Sequence, residues 1–255
     1  MNPVKISVAV ITFNEEKNIE RCLASVQNIA DEMLVLDSNS SDRTREIAEK
    51  MGARVLVNDF AGHIEQKNKA ISLARFPHIL SLDADEELDP ELEKSILLVK
   101  ENFTMDGYFL NRLTNYCGQW IYHSGWYPDK KLRLWDSRKG KWAGTNPHDR
   151  FEMQPGAQVA SLSGKILHHS YNSLEEHRHQ SIRFSETAAK ALFIQGRKAG
   201  FSKRFLSPAF RFLYSYILRL GFLEGIAGFH IARISAWASY LKYKRLKQFE
   251  SEKPN

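Results

Sequence analysis

Strand patterns that alternate with helical patterns over the first hundred residues constrain the fold of this chain more than any other feature. Near-continuous apolar runs predict strands buried on both faces of a sheet, at residues 6–12, 33–36 and 78–81. A further strand is predicted at 54–57, and helical spacing fills the intervals at 14–26, 43–51, 66–75 and 90–101. This alternation predicts an α/β fold built on a mixed, mainly parallel, doubly wound sheet.

Acidic residues stand where two of the predicted strands end. Asp37 follows the strand at 33–36, and Asp83 and Asp85 follow the strand at 78–81. Ligands of doubly wound sheets bind beyond the carboxyl ends of the strands, where the turn at 12–14 also falls. Two carboxylates in one turn suit a hard divalent cation, which can hold a diphosphate and neutralise it as it leaves. A D-x-D triplet also occurs in solvated turns, so its place in the β–α series carries the prediction.

The pattern changes after Gly107, where strands with long loops and most of the tryptophans follow. Aromatic rings in this stretch suit a sugar-binding wall, with ordinary core packing as the alternative for each ring. The 255 residues are enough for one large α/β domain and an appendage. We therefore divide the chain into an α/β domain and a helical tail. The domain spans 1–189, in two parts at 1–106 and 107–189, and the tail spans 190–255.

The tail differs from the rest of the chain in charge. Residues 1–189 carry 23 Lys and Arg against 27 Asp and Glu, whereas residues 190–255 carry 13 against 3. Because the tail is also rich in large apolar residues, an anionic membrane surface is favoured over nucleic acid as its partner. No nucleic-acid recognition motif accompanies the basic residues.

Apolar spacing of three to four residues predicts two amphipathic helices in the tail. Ser207 and Pro208 predict the start of the first helix, Gly221 its end, and residues 226–241 the second helix. Packing of these helices on the α/β domain or on a second subunit is the alternative to membrane contact. The best candidate for a membrane span, 210–231, is interrupted by charged residues, so none is expected.

The N-terminal apolar run is interpreted as the first strand, because a basic start and a small-residue cleavage site are lacking. Cys22 and Cys117 form no disulfide or metal pattern and are expected to be small core residues in a reducing compartment. The expected location is the cytoplasm, peripheral on the inner membrane face.

Three segments, at residues 7–14, 36–44 and 82–86, together resemble the family 2 glycosyltransferases. Later segments resemble the bacterial lipopolysaccharide-core β-glucosyltransferases within that family, at residues 60–68, 125–129, 133–135 and 148–149. The resemblance implies the GT-A fold, a Rossmann-like nucleotide-diphospho-sugar transferase with C-terminal amphipathic helices. It makes 1–189 the catalytic domain, with 1–106 as its nucleotide-sugar-binding half and 107–189 as its acceptor half. It also implies inverting transfer of a hexose, glucose foremost, from a UDP-sugar to a lipid-linked glycan such as lipopolysaccharide core, with Mn²⁺ or Mg²⁺. The subgroup has His-Glu where this chain has His148-Asp149.

Site residues follow from the resemblance, position by position. Donor binding is implied for Thr12, Asn14 and Asp37 at the nucleotide, for Lys67 at the diphosphate, and for Asp83 at the ribose or a metal-bound water. The implied metal ligands are Asp85, Asp83 and His168.

An inverting transfer needs a base that removes the proton of the acceptor hydroxyl. The resemblance gives this role to Asp149, with His148 as its orienting neighbour. It gives acceptor binding to Arg133, Arg150 and Trp126, with salt bridges to nearby acids as the alternative for the two arginines. Glu86 and Glu87 are expected to be solvated acids at a helix entry.

Three other functions stay open at this stage. A polyprenyl-phosphate acceptor is already an anion and would need no base. Sugar nucleotidyl transfer would need a Gly-rich loop after the first strand, which residues 12–16 lack. A non-catalytic membrane scaffold would have no need for four acids at one site.

Overall fold

The computed structural model describes residues 3–145 and 148–252, without the side chains of Thr145 and His148. The orienting role predicted for His148 and most of the loop ahead of Asp149 therefore lie outside the described residues. The chain packs into two compact units. The strand-rich unit comprises Met1–Arg112 and Asp129–His168, and the helical unit comprises Leu113–Pro128 and His169–Asn255. Because compactness does not define function, the functional division at residue 189 stays a prediction.

The predicted α/β class is confirmed by a large mixed sheet. Its path in the described residues is β3-β2-β1-β4-β8-β6-β11-β5, and β7 pairs with β6. A separate hairpin joins β9 and β10. The strands are β1 Ile6–Thr12, β2 Glu32–Asp37, β3 Arg54–Val57, β4 His78–Asp83, β5 Glu86–Leu88, β6 Gly107–Tyr116, β7 Gln119–Ile121, β8 Asp129–Asp136, β9 Gly140–Thr145, β10 His148–Met153 and β11 Val159–Tyr171.

The parallel half of the sheet aligns the strand ends that the sequence singled out. β1 runs parallel to β2 and β4, with Thr12 opposite Asp37 and Ile11 opposite Asp83. The polar ends of three strands therefore meet at one edge, as expected for a ligand site. β8 pairs antiparallel with β4, which makes the sheet mixed.

Helices cover both faces of the parallel strands in the strand-rich unit. Because side chains alternate along a strand, Val8 and Val10 of β1 join the core on one face, and Ala9 joins the core on the other. The first helix begins later than predicted, since residue 14 adopts a left-handed conformation (φ 55°) and a turn precedes the helix. The helices are α1 Ile19–Ala24, α2 Thr44–Lys50, α3 His63–Leu73 and α4 Pro90–Glu101.

The helical unit contains three long helices, α5 Leu174–Ile194, α6 Phe201–Leu213 and α7 Gly225–Ser251. A π-helix at Tyr214–Leu218 follows α6, and a 3-10 turn at Gly221–Glu224 precedes α7. The predicted start at Ser207 and Pro208 is wrong, because α6 begins at Phe201 and Pro208 lies inside it. Because α6 packs along α7, with Phe205 against Tyr240, the helix begins several residues before the proline that suggested its start.

Across the described residues, no single helix is long and apolar enough to cross a membrane. The segments Phe201–Leu218 and Gly221–Ser251 reach the required length and composition only as a pair, bent by 72°. Cys22 is buried as expected, but Cys117 is exposed. The expectation for Cys117 fails because it lies in the tight turn between β6 and β7, at a positive φ of 52°.

Candidate active site

The ends of β1 and β2 form a connected polar edge. Asp37 is fully buried and accepts hydrogen bonds from the backbone N–H and the hydroxyl of Ser40. The Ser40 hydroxyl in turn accepts the Asn14 N–H at 2.8 Å, and the Asn14 side chain accepts the Ser41 N–H at 2.9 Å. These bonds connect the turn after β1, which contains Asn14, to the turn after β2, which follows Asp37. Both residues are predicted to bind the donor.

Thr12 supplies an unused polar atom at the same edge. Its side chain is buried, and its Oγ1 has no hydrogen-bond partner within the described chain. The neighbouring Ser38 hydroxyl accepts from Gln66 Nε2 at 3.0 Å, which connects α3 to this edge. A buried hydroxyl without a partner is costly unless a ligand satisfies it, so Thr12 fits its predicted place in a binding pocket.

Lys67 joins the strand edge to the β9–β10 hairpin. Its Nζ lies 2.8 Å from Asp149 Oδ2 and 3.1 Å from Asp83 Oδ1, and the lysine is itself buried. The predicted diphosphate residue, the predicted base and the first acid of the D-x-D triplet therefore meet around one ammonium group. The structure brings together three residues that are up to 82 positions apart in the chain.

The hairpin carries Asp149 to this point through two contacts. The Asn68 amide of α3 exchanges two hydrogen bonds with the backbone of Trp142, at 2.9 and 3.0 Å. Phe151, two residues beyond Asp149, stacks on Trp135 with centroids 3.9 Å apart. Lys67 Nζ also lies 4.5 Å from the centroid of a Trp142 ring, and this cation–π contact helps to position the lysine. Trp142 and Trp135 are therefore core residues that position the site.

Behind Asp83 lies a buried ion-pair network. Arg133 Nη2 donates to Asp83 at 3.0 Å and to Glu86 at 2.9 Å. Arg112 continues the network from Glu86 to Asp129 at 3.2 and 2.8 Å. Glu86 is only 1% exposed, so the expectation of a solvated acid at this position is wrong. It belongs to the short strand β5, whose three residues give too weak an alternation to be recognised in the sequence.

Charge pairing outweighs burial at Asp83. Burial alone would raise the pKa of this carboxyl, but Lys67 and Arg133 hold the pKa well below its usual range. Burial likewise opposes the charge of Arg133, and Glu86 and Asp83 together raise the pKa of its guanidinium. Asp83 is therefore a fixed anion. Arg133, at 3% exposure, is placed in the salt bridge that the sequence left as the alternative to acceptor binding.

Asp85 forms a separate pair with His168. The His168 Nε2 lies 3.1 Å from Asp85 Oδ2, and its buried Nδ1 has no hydrogen-bond partner among the described residues. His168 Nε2 therefore orients the Asp85 carboxylate, whose oxygens suit a divalent cation that takes its other ligands from substrate oxygens. Asp83 differs, because both of its oxygens face cations. Within the described ranges, no three His, Cys, Asp or Glu side chains form a metal-binding group, so the three-residue set stays a prediction.

The remaining predicted acceptor residues lie outside this cluster. Arg150 is on β10, is exposed, and pairs with Glu152 at 2.6 Å. Trp126 belongs to the helical unit, where it packs edge-on against Tyr116. Their acceptor roles stay predictions.

A polar edge at the carboxyl ends of parallel strands, with a lysine and several acids, lies where an α/β fold binds its ligands. Residues 7–163 match the profile of glycosyl transferase family 2. An uncharacterized glycosyltransferase of Rickettsia typhi is 31% identical over 98% of this chain and 89% of its own length. The chain therefore belongs to the family 2 glycosyltransferases, and its α/β architecture is the GT-A fold.

More distant similarities accompany this match. A lipopolysaccharide core biosynthesis glycosyltransferase of Rhizobium meliloti is 23% identical over 95% of this chain and 92% of its own. A solved structure of glucosyl-3-phosphoglycerate synthase from Mycobacterium tuberculosis overlaps 45% of each chain, with 23% identity and a TM-score of 0.37.

Proposed function

We propose that this glycosyltransferase moves a hexose, glucose foremost, from a UDP-sugar to a lipid-linked glycan such as lipopolysaccharide core, with inversion at the anomeric carbon. One observation carries the proposal. Lys67 lies between Asp149 and Asp83, so a cation suited to a diphosphate directly contacts a carboxylate suited to act as a base. A binding scaffold would gain nothing from this arrangement.

The strand edge is assigned to the donor. Thr12, Asn14 and Asp37 would bind the nucleoside, for which Asp37 offers a rigid carboxylate and Thr12 an unused hydroxyl. Lys67 would face the diphosphate as a point charge. Asp83 would contact the ribose only at its exposed edge, since Lys67 and Arg133 hold its oxygens.

Asp149 would remove the proton from the acceptor hydroxyl as that oxygen attacks the anomeric carbon. In the structure its Oδ2 accepts from the Lys67 ammonium, which occupies the oxygen that would receive the proton. An arriving diphosphate competes for that ammonium and frees the carboxylate. The proposed order is therefore donor first and acceptor second.

A divalent cation would lie at Asp85 and His168. Mn²⁺ or Mg²⁺ there would supply charge neutralisation for the departing diphosphate. The chain itself contributes the Asp85 carboxylate and the imidazole that holds it in place.

A relative, an exposed arginine and the tail support the acceptor assignment. The name of the Rhizobium meliloti relative places that protein in lipopolysaccharide core biosynthesis. The exposed Arg150 guanidinium is suited to an anionic acceptor. The basic, apolar tail supports a location at an anionic membrane surface, on its cytoplasmic face.

The test is sugar transfer from a panel of UDP-sugars with Mn²⁺ or Mg²⁺ to lipid-linked glycan acceptors. Asp149→Asn should lower kcat by about a hundredfold or more, because general base catalysis contributes factors of that order, and should leave the Kd for the UDP-sugar within about threefold. Glu46→Gln, at an exposed acid paired only with Lys50, is the matched control. Full turnover by Asp149→Asn would contradict the base assignment.

A polyprenyl-phosphate acceptor is the second candidate. A dolichyl-phosphate hexose transferase of Haloferax volcanii is 33% identical over 38% of this chain. An acceptor that is already ionised needs no base, so transfer to a polyprenyl phosphate that is indifferent to Asp149→Asn would favour this reaction.

A further inference from the structure

A small polar cavity lies wholly within the helical unit. It measures about 80 Å³, and the side chains that matter below are Ser124, Trp126, Arg211, Tyr214, Arg219 and Ser235. A cavity of this size has room for a small polar group such as a phosphate. Trp126, predicted from sequence to bind the acceptor, is one of its walls.

The charge of the cavity is positive. Arg211 and Arg219 are both exposed, and within the described chain neither has an acidic partner. Arg219 Nε donates to the Tyr214 hydroxyl at 2.7 Å, which leaves the phenolic proton available to another acceptor. Two guanidinium groups beside a hydroxyl donor match the oxygens of a phosphate better than those of any neutral ligand.

Ser124 is a buried, strained residue in the wall of the cavity. It is 95% buried, since only 5% of its surface is exposed. Its backbone is held at a positive φ of 62° by the Arg219 carbonyl and the Ser215 hydroxyl. Residues held in such sparsely populated conformations cluster at ligand sites.

The helix that forms one wall is itself irregular. Tyr214 and Ser215 belong to the π-helix, and Leu220 after it adopts a left-handed conformation with φ of 54°. Single π turns are rare and occur frequently at functional sites. Gly125, at a positive φ of 79°, continues this unusual backbone beside Ser124.

The segment that supplies Arg211, Tyr214 and Arg219 to the cavity also carries large apolar side chains that are exposed: Phe210, Leu213, Ile217, Leu218 and Phe222. Binding of free phosphate would not explain these exposed apolar side chains, whereas a membrane offers hydrocarbon beside its phosphate headgroups. We propose that this cavity binds the terminal phosphate of a membrane lipid, while the apolar side chains enter the headgroup layer. The proposal rests on the membrane association proposed above and is independent of sugar transfer.

Flotation of the full-length protein tests the proposal. Phosphatidylcholine vesicles that contain phosphatidate are compared with vesicles of equal surface charge that contain oleate, which has no phosphate monoester. The wild type should prefer phosphatidate vesicles by about tenfold. Arg211→Gln and Arg219→Gln should abolish that preference, whereas Arg197→Gln, at an exposed arginine outside the cavity, should retain it.

A further variant covers the case in which an arginine substitution impairs folding. Ser235→Glu keeps both arginines and adds a carboxylate to the cavity wall, and it should also abolish the preference. Equal losses in Arg197→Gln, or a dimer in solution that binds neither vesicle, would overturn the proposal. So would thermal stabilisation by inorganic phosphate without any lipid preference, because that result assigns the cavity to free phosphate. If calorimetry of the wild type found no UDP-sugar binding while the lipid preference persisted, only the transferase proposal would fall.

Discussion

At the scale of single residues, the site depends on one lysine that two carboxylates share. Lys67 is buried between Asp83 and Asp149, and the ring of Trp142 supports it. Asp83 retains a second cation in Arg133, whereas Asp149 has no other cation at ion-pair distance among the described side chains. The lysine is therefore more important for the position of Asp149 than for that of Asp83.

Lys67→Gln should lower kcat/KM for the UDP-sugar by about a hundredfold, the usual loss when one preorganised charge donor is removed. The KM for the donor should rise as well, because the diphosphate loses its point charge. Lys69→Gln, on the exposed side of the same helix, is the control and should change neither constant by more than about twofold. Steady-state kinetics in which both variants behave alike would remove Lys67 from the donor site.

A second residue-scale prediction concerns His177. Its Nδ1 lies 2.9 Å from the Tyr116 hydroxyl, and burial lowers its pKa from 6.5 to about 4. The folded state therefore stays neutral at His177 while the unfolded chain takes up a proton below pH 6.5. Stability should fall as the pH drops from about 6.5 to about 4, by on the order of 3 kcal/mol, and this residue should cause no further loss below that range.

Urea unfolding at pH 7 and at pH 4.5 measures this effect. His177→Gln keeps an acceptor for Tyr116 but cannot titrate, so its stability should differ less between the two pH values than that of the wild type. His179→Gln, at a histidine whose side chain is 69% exposed, should match the wild type. An unchanged pH difference in His177→Gln would show that another group carries the acid sensitivity.

At the scale of elements, the strands were easier to predict than the residues that hold the site together. Apolar runs gave β1 and the start of β4, because a strand buried on both faces has a strong sequence signal. β5 could not be predicted, because a strand of three residues is too short to show an alternation of apolar and polar side chains. For this reason the sequence predicts a solvated Glu86. Likewise, Pro208 suggested a helix start that contacts between α6 and α7 override.

The same limit applies to the site. The strand-end acids Asp37 and Asp83 could be grouped because parallel register brings strand ends together. The contact between Lys67 and Asp149 could not be predicted, because it depends on how the β9–β10 hairpin docks on α3 through Asn68. Sequence periodicity contains no information on such a contact.

The close approach of α4 to β11 gives a prediction at the scale of elements. Gly164 adopts φ of +88°, and a Cβ there would lie 2.1 Å from the Leu92 nitrogen and 2.7 Å from Oδ1 of Asp89, the N-cap of α4. Gly164→Ala should therefore cost about 3 kcal/mol or more, from overpacking, loss of the cap and the left-handed backbone. Gly156→Ala has nearly the same φ, +85°, but meets nothing within 4 Å, so its cost should be about 1 kcal/mol. Denaturant unfolding that gave equal costs would refute the close contact.

At the scale of the whole molecule, the uneven charge of the chain is matched by uneven apolar exposure. The 13 basic and 3 acidic residues of 190–255 occur in the same segment as exposed residues such as Phe210 and Ile226. Deleting this segment would be a poor test of its role, because α7 supplies buried Ile231 and Leu246 to the helical unit. Substitutions in the full-length protein are the appropriate test.

Binding to vesicles that contain phosphatidylglycerol should have an electrostatic part and an apolar part. Raising the salt from about 0.1 M to about 1 M shortens the Debye length from about 10 Å to about 3 Å, so the bound fraction should fall without vanishing. Replacing Phe210 and Ile226 together by serine should remove the salt-resistant remainder, because Ile226 is 78% exposed and is free to enter the lipid. Leu98→Ser, at a residue 75% exposed in the strand-rich unit, is the control. If the double variant kept the salt-resistant binding while Leu98→Ser lost it, the membrane-facing surface would have to be sought on the strand-rich unit instead.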